Sequence, residues 1–323
     1  QTVSNFRLKY FLCFALALCS VRASCQASPY SWEWAEEAYT TNTEFANDVA
    51  VDPVSGDIVV VGEFTGDISA FYGPDFVAAV GGGFVAKYNS VGTLLWAFRV
   101  GGNDDDRCKA VAIDAVGNIY VTGYITNFAD FRGNSAGPNL LTSVGGRDVF
   151  VAKYNSAGMY LWAKKGGGSQ DDEGLSVCVN ATNVFVTGFY RDVASFGLLS
   201  TFSSNSNDNA FIVAYDLNGN EQWLTDIGAG NHAYGYDIIA DNSDVYVVGD
   251  FEGNLTIFSP SAVIVGSLIA GSNWESFAIS FSGAGVFRWA RMITGGNQQH
   301  CYSITEKSSA IYITGSIENT TTF

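Results

Sequence analysis

An all-β fold made of repeated sheets is predicted by three observations. The chain repeats itself every 61 to 66 residues, each repeat carries four strand signals, and no window of 11 or more residues shows helical apolar spacing after the first residues.

The repeat is marked by Trp34, Trp96, Trp162, Trp223 and Trp289, which lie 62, 66, 61 and 66 residues apart, or roughly 64 on average. Other residues keep fixed offsets from them. Eighteen residues after each Trp stand Asp52, Asp114, Asn180, Asp241 and Lys307, and 26 to 28 residues after it stand Gly62, Gly123, Gly188, Gly249 and Gly315. Tyr88, Tyr154, Tyr215 and Phe281 precede the later four Trp residues by eight positions, and Gly92, Gly158, Gly219 and Gly285 precede them by four. Constant offsets within units of varying length confine insertions to particular loops.

The second unit illustrates the four strands: Cys108 to Asp114, apolar with period two at Val111 and Ile113, Asn118 to Tyr124, rich in β-branched and aromatic residues, Asp148 to Tyr154 and Met159 to Lys165. The first two are joined by Ala115-Val116-Gly117. The last two are joined by Asn155-Ser156-Ala157-Gly158, with Asn first and Gly fourth as a type I turn prefers. Four-strand units repeating without helices predict a β-propeller, each unit one blade packed face to face on its neighbours. A Trp at one position of every unit reads as an apolar wedge between blades; a sugar-stacking platform is the alternative role.

The segments AVAIDAVGNIYVTGYI and GGRDVFVAKYNSAGMYLWAKKGGG resemble the SBBP-type bacterial β-propeller repeat, and the resemblance runs from about Trp34 onward. It implies an extracytoplasmic propeller without an established general activity. The third and fourth units drift from it: Asn180 replaces Asp and the Gly-Asn of the first hairpin is lost. GNEQW, ending at Trp223, is similar to the tryptophan-docking motif of quinoprotein-type propellers, but no cofactor-binding residues accompany it, so only a structural role is carried over.

Residues 1–27 read as a signal peptide. Arg7 and Lys9 precede an apolar run from Tyr10 to Leu18, and small residues between Ala23 and Ala27 offer a cleavage zone. The run is shorter than the roughly 20 residues a membrane helix needs, so no membrane insertion is expected after its removal. Residues 28–323 then form the propeller, as four full repeats plus a partial fifth, truncated at the C-terminus, and the ring is expected to be incomplete over this stretch. Arg7, Lys9 and Arg22 leave with the signal, so 32 acidic side chains face 13 basic ones. That balance argues against nucleic acid, whose phosphates need clustered Lys and Arg. Cys108, Cys178 and Cys301 remain as an odd number without C-x-x-C spacing, so disulfides are not expected to hold the fold.

Successive strands run antiparallel, which places the two tight turns of each unit at one end. The loop after the Trp strand and the long connection between second and third strands lie at the other. Binding is assigned to that second end, where length variation and acidic clusters gather. Two clusters stand in equivalent loops: Asp104, Asp105 and Asp106, then Asp171, Asp172 and Glu173. Calcium is the cation such oxygen-rich loops would take, but no D-x-[DN]-x-[DN]-G pattern supports it. A solvated acidic loop is the competing reading, and so is a carboxylate capping N–H groups of the adjacent Gly-Gly turn. His232 and His300 fall in the same loops, with Cys301 beside His300; this weighs little as a metal site, because Cys301 opens a strand and should be buried.

No catalytic constellation emerges. Gly133 to Gly137 fits G-x-S-x-G, but Pro138 follows and no strand–helix elbow is available. The innermost strands read as mainly Val, Ala and Ile. The expected function is therefore a non-catalytic, secreted or cell-surface binding or adhesion scaffold for a protein or glycan, without cofactor. The alternative is an accessory propeller of a larger secreted enzyme whose catalytic domain lies beyond residue 323.

Overall fold

Short β-branched runs punctuated by Gly and Asx residues pair as curved antiparallel sheets in the computed structural model, which describes residues 43–65, 81–102, 104–201, 207–295, 297–308, 310–318 and 321–322. The expected signal peptide and Trp34 lie outside these residues. Among the described residues there is no helix.

The first unit is the simplest: β1 (Glu44–Val51), β2 (Ile58–Phe64), β3 (Gly82–Tyr88) and β4 (Leu94–Val100) form a four-stranded sheet in sequence order. The second unit repeats it with β5 (Arg107–Ile113), β6 (Ile119–Asp130), β7 (Leu140–Tyr154) and β8 (Tyr160–Gly167). In the third, β9 (Glu173–Val179) and β10 (Asn183–Arg191) are followed by a small hairpin, β11 (Ser195–Phe196) with β12 (Leu199–Ser200), before β13 (Asp208–Asp216) and β14 (Glu221–Ala229). β15 (Ala233–Ala240), β16 (Asp244–Phe258), β17 (Ile264–Ser282) and β18 (Phe287–Gly295) follow in the fourth. β19 (Gln299–Lys307), β20 (Ala310–Ile317) and the short β21 (Thr321–Thr322) complete the described chain.

The sheets stack through one apolar layer per neighbouring pair. Val59, Val61 and Val85 meet Cys108, Val121 and Phe150; Val149 and Val151 meet Val184, Val186 and Phe211; Phe185 and Ile212 meet Val245, Val247 and Phe277. Covered on both faces, the middle strands lose the alternation of a half-buried strand, which is why β2 and β3 are buried at every position. Each fully buried Val, Ile or Phe contributes roughly 1.5–3 kcal/mol. Trp162 and Trp223 sit in the same layers. Trp162 Nε1 donates to the carbonyl of Leu217 at 3.1 Å, and Trp223 Nε1 to that of Gly283 at 2.9 Å, so each ring docks on the third-to-fourth-strand turn of the following unit.

In the second and fourth units the long connections between second and third strands depart from the expected loops and are largely strand. Phe128, Ala129 and Asp130 of β6 pair with Thr142, Leu141 and Leu140 of β7, and β16 and β17 pair far beyond the core hairpin. These extensions reach the outermost strand of the preceding unit. Asp130 bridges Gly101, β11 pairs with β8, β16 with β14, and β21 with β18. An exposed outer strand is a pairing hazard, and a hairpin from the next unit covers it.

The conserved spacing of the glycines also has a cause in the ladder. Each innermost strand carries a β-bulge at Asn47, Lys109, Leu175, Tyr236 or Tyr302, opposite the Gly that ends the Val-rich run. The bulge drives a carbonyl of the innermost strand toward that Gly.

Candidate functional site

Between strand β4 and β5 the chain turns back toward the axis of the stacked sheets, and Arg107 is the first residue of β5. Glu173, Tyr234 and His300 hold the same place relative to their units, eleven residues after Trp162, Trp223 and Trp289. The innermost strands pack successively, β1 on β5, β5 on β9, β9 on β15 and β15 on β19. Asp48 and Asp237 lie near enough for their charges to repel although they belong to the first and fourth units.

At this end, each junction between units is made by three equivalent positions with different side chains. Between the second and third units, Tyr124 (after the repeated Gly), Arg147 (at the start of the third strand's core) and Glu173 come together. Arg147 Nη1 meets Glu173 at 2.6 Å, and its guanidinium lies 4.6 Å from the Tyr124 ring centroid. Between the third and fourth, the same places hold Phe189, Asp208 and Tyr234. Phe189 meets the Tyr234 ring edge-on at 5.1 Å, and Tyr234 donates its hydroxyl hydrogen to Asp208. Between the fourth and fifth stand Asp250, Trp274 and His300. His300 Nδ1 lies 2.6 Å from Asp250, and the Trp274 and His300 rings are 6.3 Å apart. In the first junction Glu63 meets Arg107 Nη1 at 2.6 Å. The backbone is constant and the chemistry changes from ion pair to hydrogen bond to ring contact.

This corrects the reading of the innermost strands as mainly Val, Ala and Ile. Those residues fill the inter-sheet layers, whereas the axis-end positions carry Arg107, Lys109, Glu173, Tyr234, Tyr236, His300 and Tyr302. The sequence signal lies in the variable positions eleven and thirteen residues after each Trp, which the constant offsets do not include. Trp274, outside the Trp repeat, was missed for the same reason.

The acidic clusters divide by residue. Asp106 and Asp172 are buried and staple backbone. Asp106 accepts from Gly102 N at 2.6 Å and Thr126 N at 2.8 Å; Asp172 accepts from Gly168 N at 2.7 Å and Arg191 N at 3.0 Å. Burial lifts their carboxyls to about 6 and about 7 against the pull of those donors. Asp105 accepts from Arg107 Nε at 2.9 Å and Arg147 Nη2 at 3.0 Å, linking the first two junctions. Partial burial opposes its ionisation, yet Arg107 holds its carboxyl below the usual range. Asp171 accepts from Arg147 N at 3.1 Å, and Asp104 lines a recess of about 330 Å³ with Phe45, Glu63 and Arg107. Among the described residues no three His, Cys, Asp or Glu side chains gather as metal ligands would.

Cys108 and Cys301 are buried and unbridged, as expected of small core residues. Ser135 of the G-x-S-x-G string accepts from Tyr160 N at 2.9 Å in a turn, a structural role. The repeated Asx positions are turn caps: Asp52, Asp114, Asn180 and Asp241 each accept, through Oδ1, from two backbone N–H groups of the following turn.

Two curated relatives match over parts of their length. A WD repeat-containing protein of Acanthamoeba polyphaga mimivirus is 27% identical over 233 residues, covering 62% of this chain and 16% of that protein. The regulatory protein FlaEY of Caulobacter vibrioides is 28% identical over 165 residues, covering 50% of this chain and 17% of that protein. The chain thus spans about a sixth of the length of either, and both are named as repeat or regulatory proteins rather than enzymes. The SBBP family model, described as a beta-propeller repeat, matches residues 95–132, so the segment from the second Trp strand through β6 carries the repeat that the chain resembles.

Proposed function

We propose that this chain is a β-propeller of four-stranded blades on a repeat of roughly 64 residues, acting outside the cytoplasm, secreted or at the cell surface, as a non-catalytic binding or adhesion scaffold. The junction triads carry this reading: equivalent positions on one constant backbone hold Arg147 with Glu173, Asp208 with Tyr234, and Trp274 with His300. Uniform structural demands would favour uniform residues, whereas recognition favours a varied surface on a rigid frame. The cationic start and apolar run of residues 1–27 support export. The excess of 32 acidic over 16 basic side chains favours a protein or glycan partner over nucleic acid.

Arrays of surface proteins and glycans probed with the labelled chain test it. Saturable binding should be lost on Arg107→Ala with Arg147→Ala or on Tyr234→Ala, all at the axis end. It should survive Val54→Lys and Val116→Lys at the tight-turn end. Binding that depends on the tight turns instead, or none to either array, would sink the reading.

A further inference from the structure

Six half-buried or exposed rings run from the junction of the third and fourth units to that of the fourth and fifth: His232, Tyr234, Tyr236, Trp274, His300 and Tyr302. They come from the loop before β15, from β15 itself, from β17 and from β19. They form two groups of near-parallel planes, inclined to each other by 38° between Trp274 and His300 and by 55° between Tyr236 and Tyr302. His232 and Trp274 are 6.0 Å apart at 18°, Tyr234 and Trp274 5.9 Å at 23°, Tyr234 and Tyr236 5.8 Å at 11°, and His300 and Tyr302 5.9 Å at 8°. Core aromatics elsewhere in the chain are closed off by the neighbouring sheet: Phe150, Phe185 and Phe211 are all fully buried. Here Tyr302 remains 53% exposed, and the side chains of His232 and His300 keep 35% and 25% of their surface.

The ring edges are polar. Asp208 takes the Tyr234 hydroxyl and faces His232 Nδ1 at 3.2 Å, Asp250 holds His300, and Ser303 Oγ donates to Asp237 at 2.8 Å beside them. A dry apolar peptide would leave the exposed edges of His232, His300 and Tyr302 without partners. An anionic polymer would meet a chain of net charge −16, with Arg191 already paired to Asp208. A neutral pyranose offers what both parts need: a C–H face for the rings and hydroxyls for the imidazole and tyrosine edges.

We infer that this ring cluster is a binding platform for neutral pyranose oligosaccharides, with Trp274 and Tyr302 as the stacking surfaces. The inference rests on the scaffold reading above and names its ligand class. Sugar units would lie on the rings while the imidazole edges of His232 and His300 and the hydroxyl of Tyr302 take their hydroxyl groups. The charged junctions around Arg107, Arg147 and Glu173 lie outside the platform.

Isothermal titration of the full chain with cellohexaose, laminarihexaose and maltohexaose, and with polygalacturonate as the anionic comparison, tests it. At least one neutral hexasaccharide should bind saturably and polygalacturonate should not. Tyr302→Ala and Trp274→Ala should each weaken binding about tenfold, the weight of one stacking contact. Trp274→Phe should restore much of it, and Leu198→Ala, at a residue 96% exposed on the β11–β12 turn, should change nothing. An unchanged melting temperature in Tyr302→Ala separates lost binding from lost folding. No binding to any neutral sugar, binding of polygalacturonate alone, or binding indifferent to both ring variants would overturn the platform. If proteins are still captured through Arg107 and Arg147 in that case, the scaffold reading survives; if neither probe binds, both fall.

Discussion

A Cβ added to Gly123 would stand 1.8 Å from the carbonyl oxygen of Arg107. The same approach recurs at Gly62 with Phe45, Gly188 with Glu173, Gly249 with Tyr234 and Gly315 with His300, at 1.8 or 1.9 Å. The bulge near the start of every innermost strand therefore dictates glycine across the ladder. Gly123→Ala should cost about 3 kcal/mol, read as a lowered urea midpoint. Gly56→Ala, with open space but φ at +75°, should cost about 1 kcal/mol. Equal losses at the two sites would refute the bulge as the cause.

Asp114 offers a second test, because Asn180 already does its work in the next unit. Asp114 Oδ1 accepts from Val116 N at 3.0 Å and Asn118 N at 2.8 Å; Asn180 Oδ1 accepts from Thr182 N at 3.0 Å and Asn183 N at 2.9 Å. Asp114→Asn keeps both turn bonds but loses the Oδ2 acceptor of Asn118 Nδ2 and the Tyr120 hydroxyl. It should therefore cost about 1 kcal/mol, whereas Asp114→Ala should remove about 3 kcal/mol by also leaving the turn donors uncapped. Thermal melts of the two variants decide it; an alanine as stable as the asparagine would deny the cap.

The docked tryptophans carry more. Trp223 is 5% exposed and packs 6.1 Å from Phe281 of the following unit. Trp223→Ala should destabilise by about 4 kcal/mol through the cavity it leaves. Trp223→Phe keeps much of the packing but orphans the Gly283 carbonyl, at a cost of about 1 kcal/mol beyond the lost volume. Denaturant titration should rank them in that order, and a mild alanine would mean the layer between units closes without the ring.

Stability should also depend on pH through Asp172. Its carboxyl titrates near 3.9 in an unfolded chain and, because of burial, at about 7 in the folded one. Between these values the folded state holds a proton that the unfolded state has released. This contribution is therefore complete below about 4 and is lost as pH rises through about 7. Each unit of displacement is worth about 1.4 kcal/mol. The wild type should lose melting temperature from pH 5 to pH 8 faster than Asp172→Asn, whose side chain cannot titrate. Parallel pH profiles for the two would rule out the buried carboxyl as the source. Asp106, displaced to about 6, should add a smaller loss in the same direction.

Much of the fold was legible because the relevant interactions are local or repeat in register. Asn155 caps its own turn by accepting from Ala157 N and Met159 N, each at 3.0 Å, so four consecutive residues suffice to foretell it. The Val-rich runs declared strands through their composition alone. The long connections were misjudged for a matching reason: Ser195 and Phe196 read as loop until the outer strand of the preceding unit supplies Gly167 and Gly166 as partners.

By itself, then, the sequence determined an all-β chain of repeating antiparallel strands, its Asx-capped turns, its obligatory glycines and its buried valines, since each follows from backbone sterics or from side chains a few positions apart. Tertiary structure alone decided which residues share a junction. Glu63 meets Arg107 across 44 positions, Arg147 meets Glu173 across 26, and Asp250 meets His300 across 50. Those pairs exist because neighbouring sheets stack with their innermost strands side by side. No local preference encodes that stacking; it arises from burying the apolar layer between whole sheets.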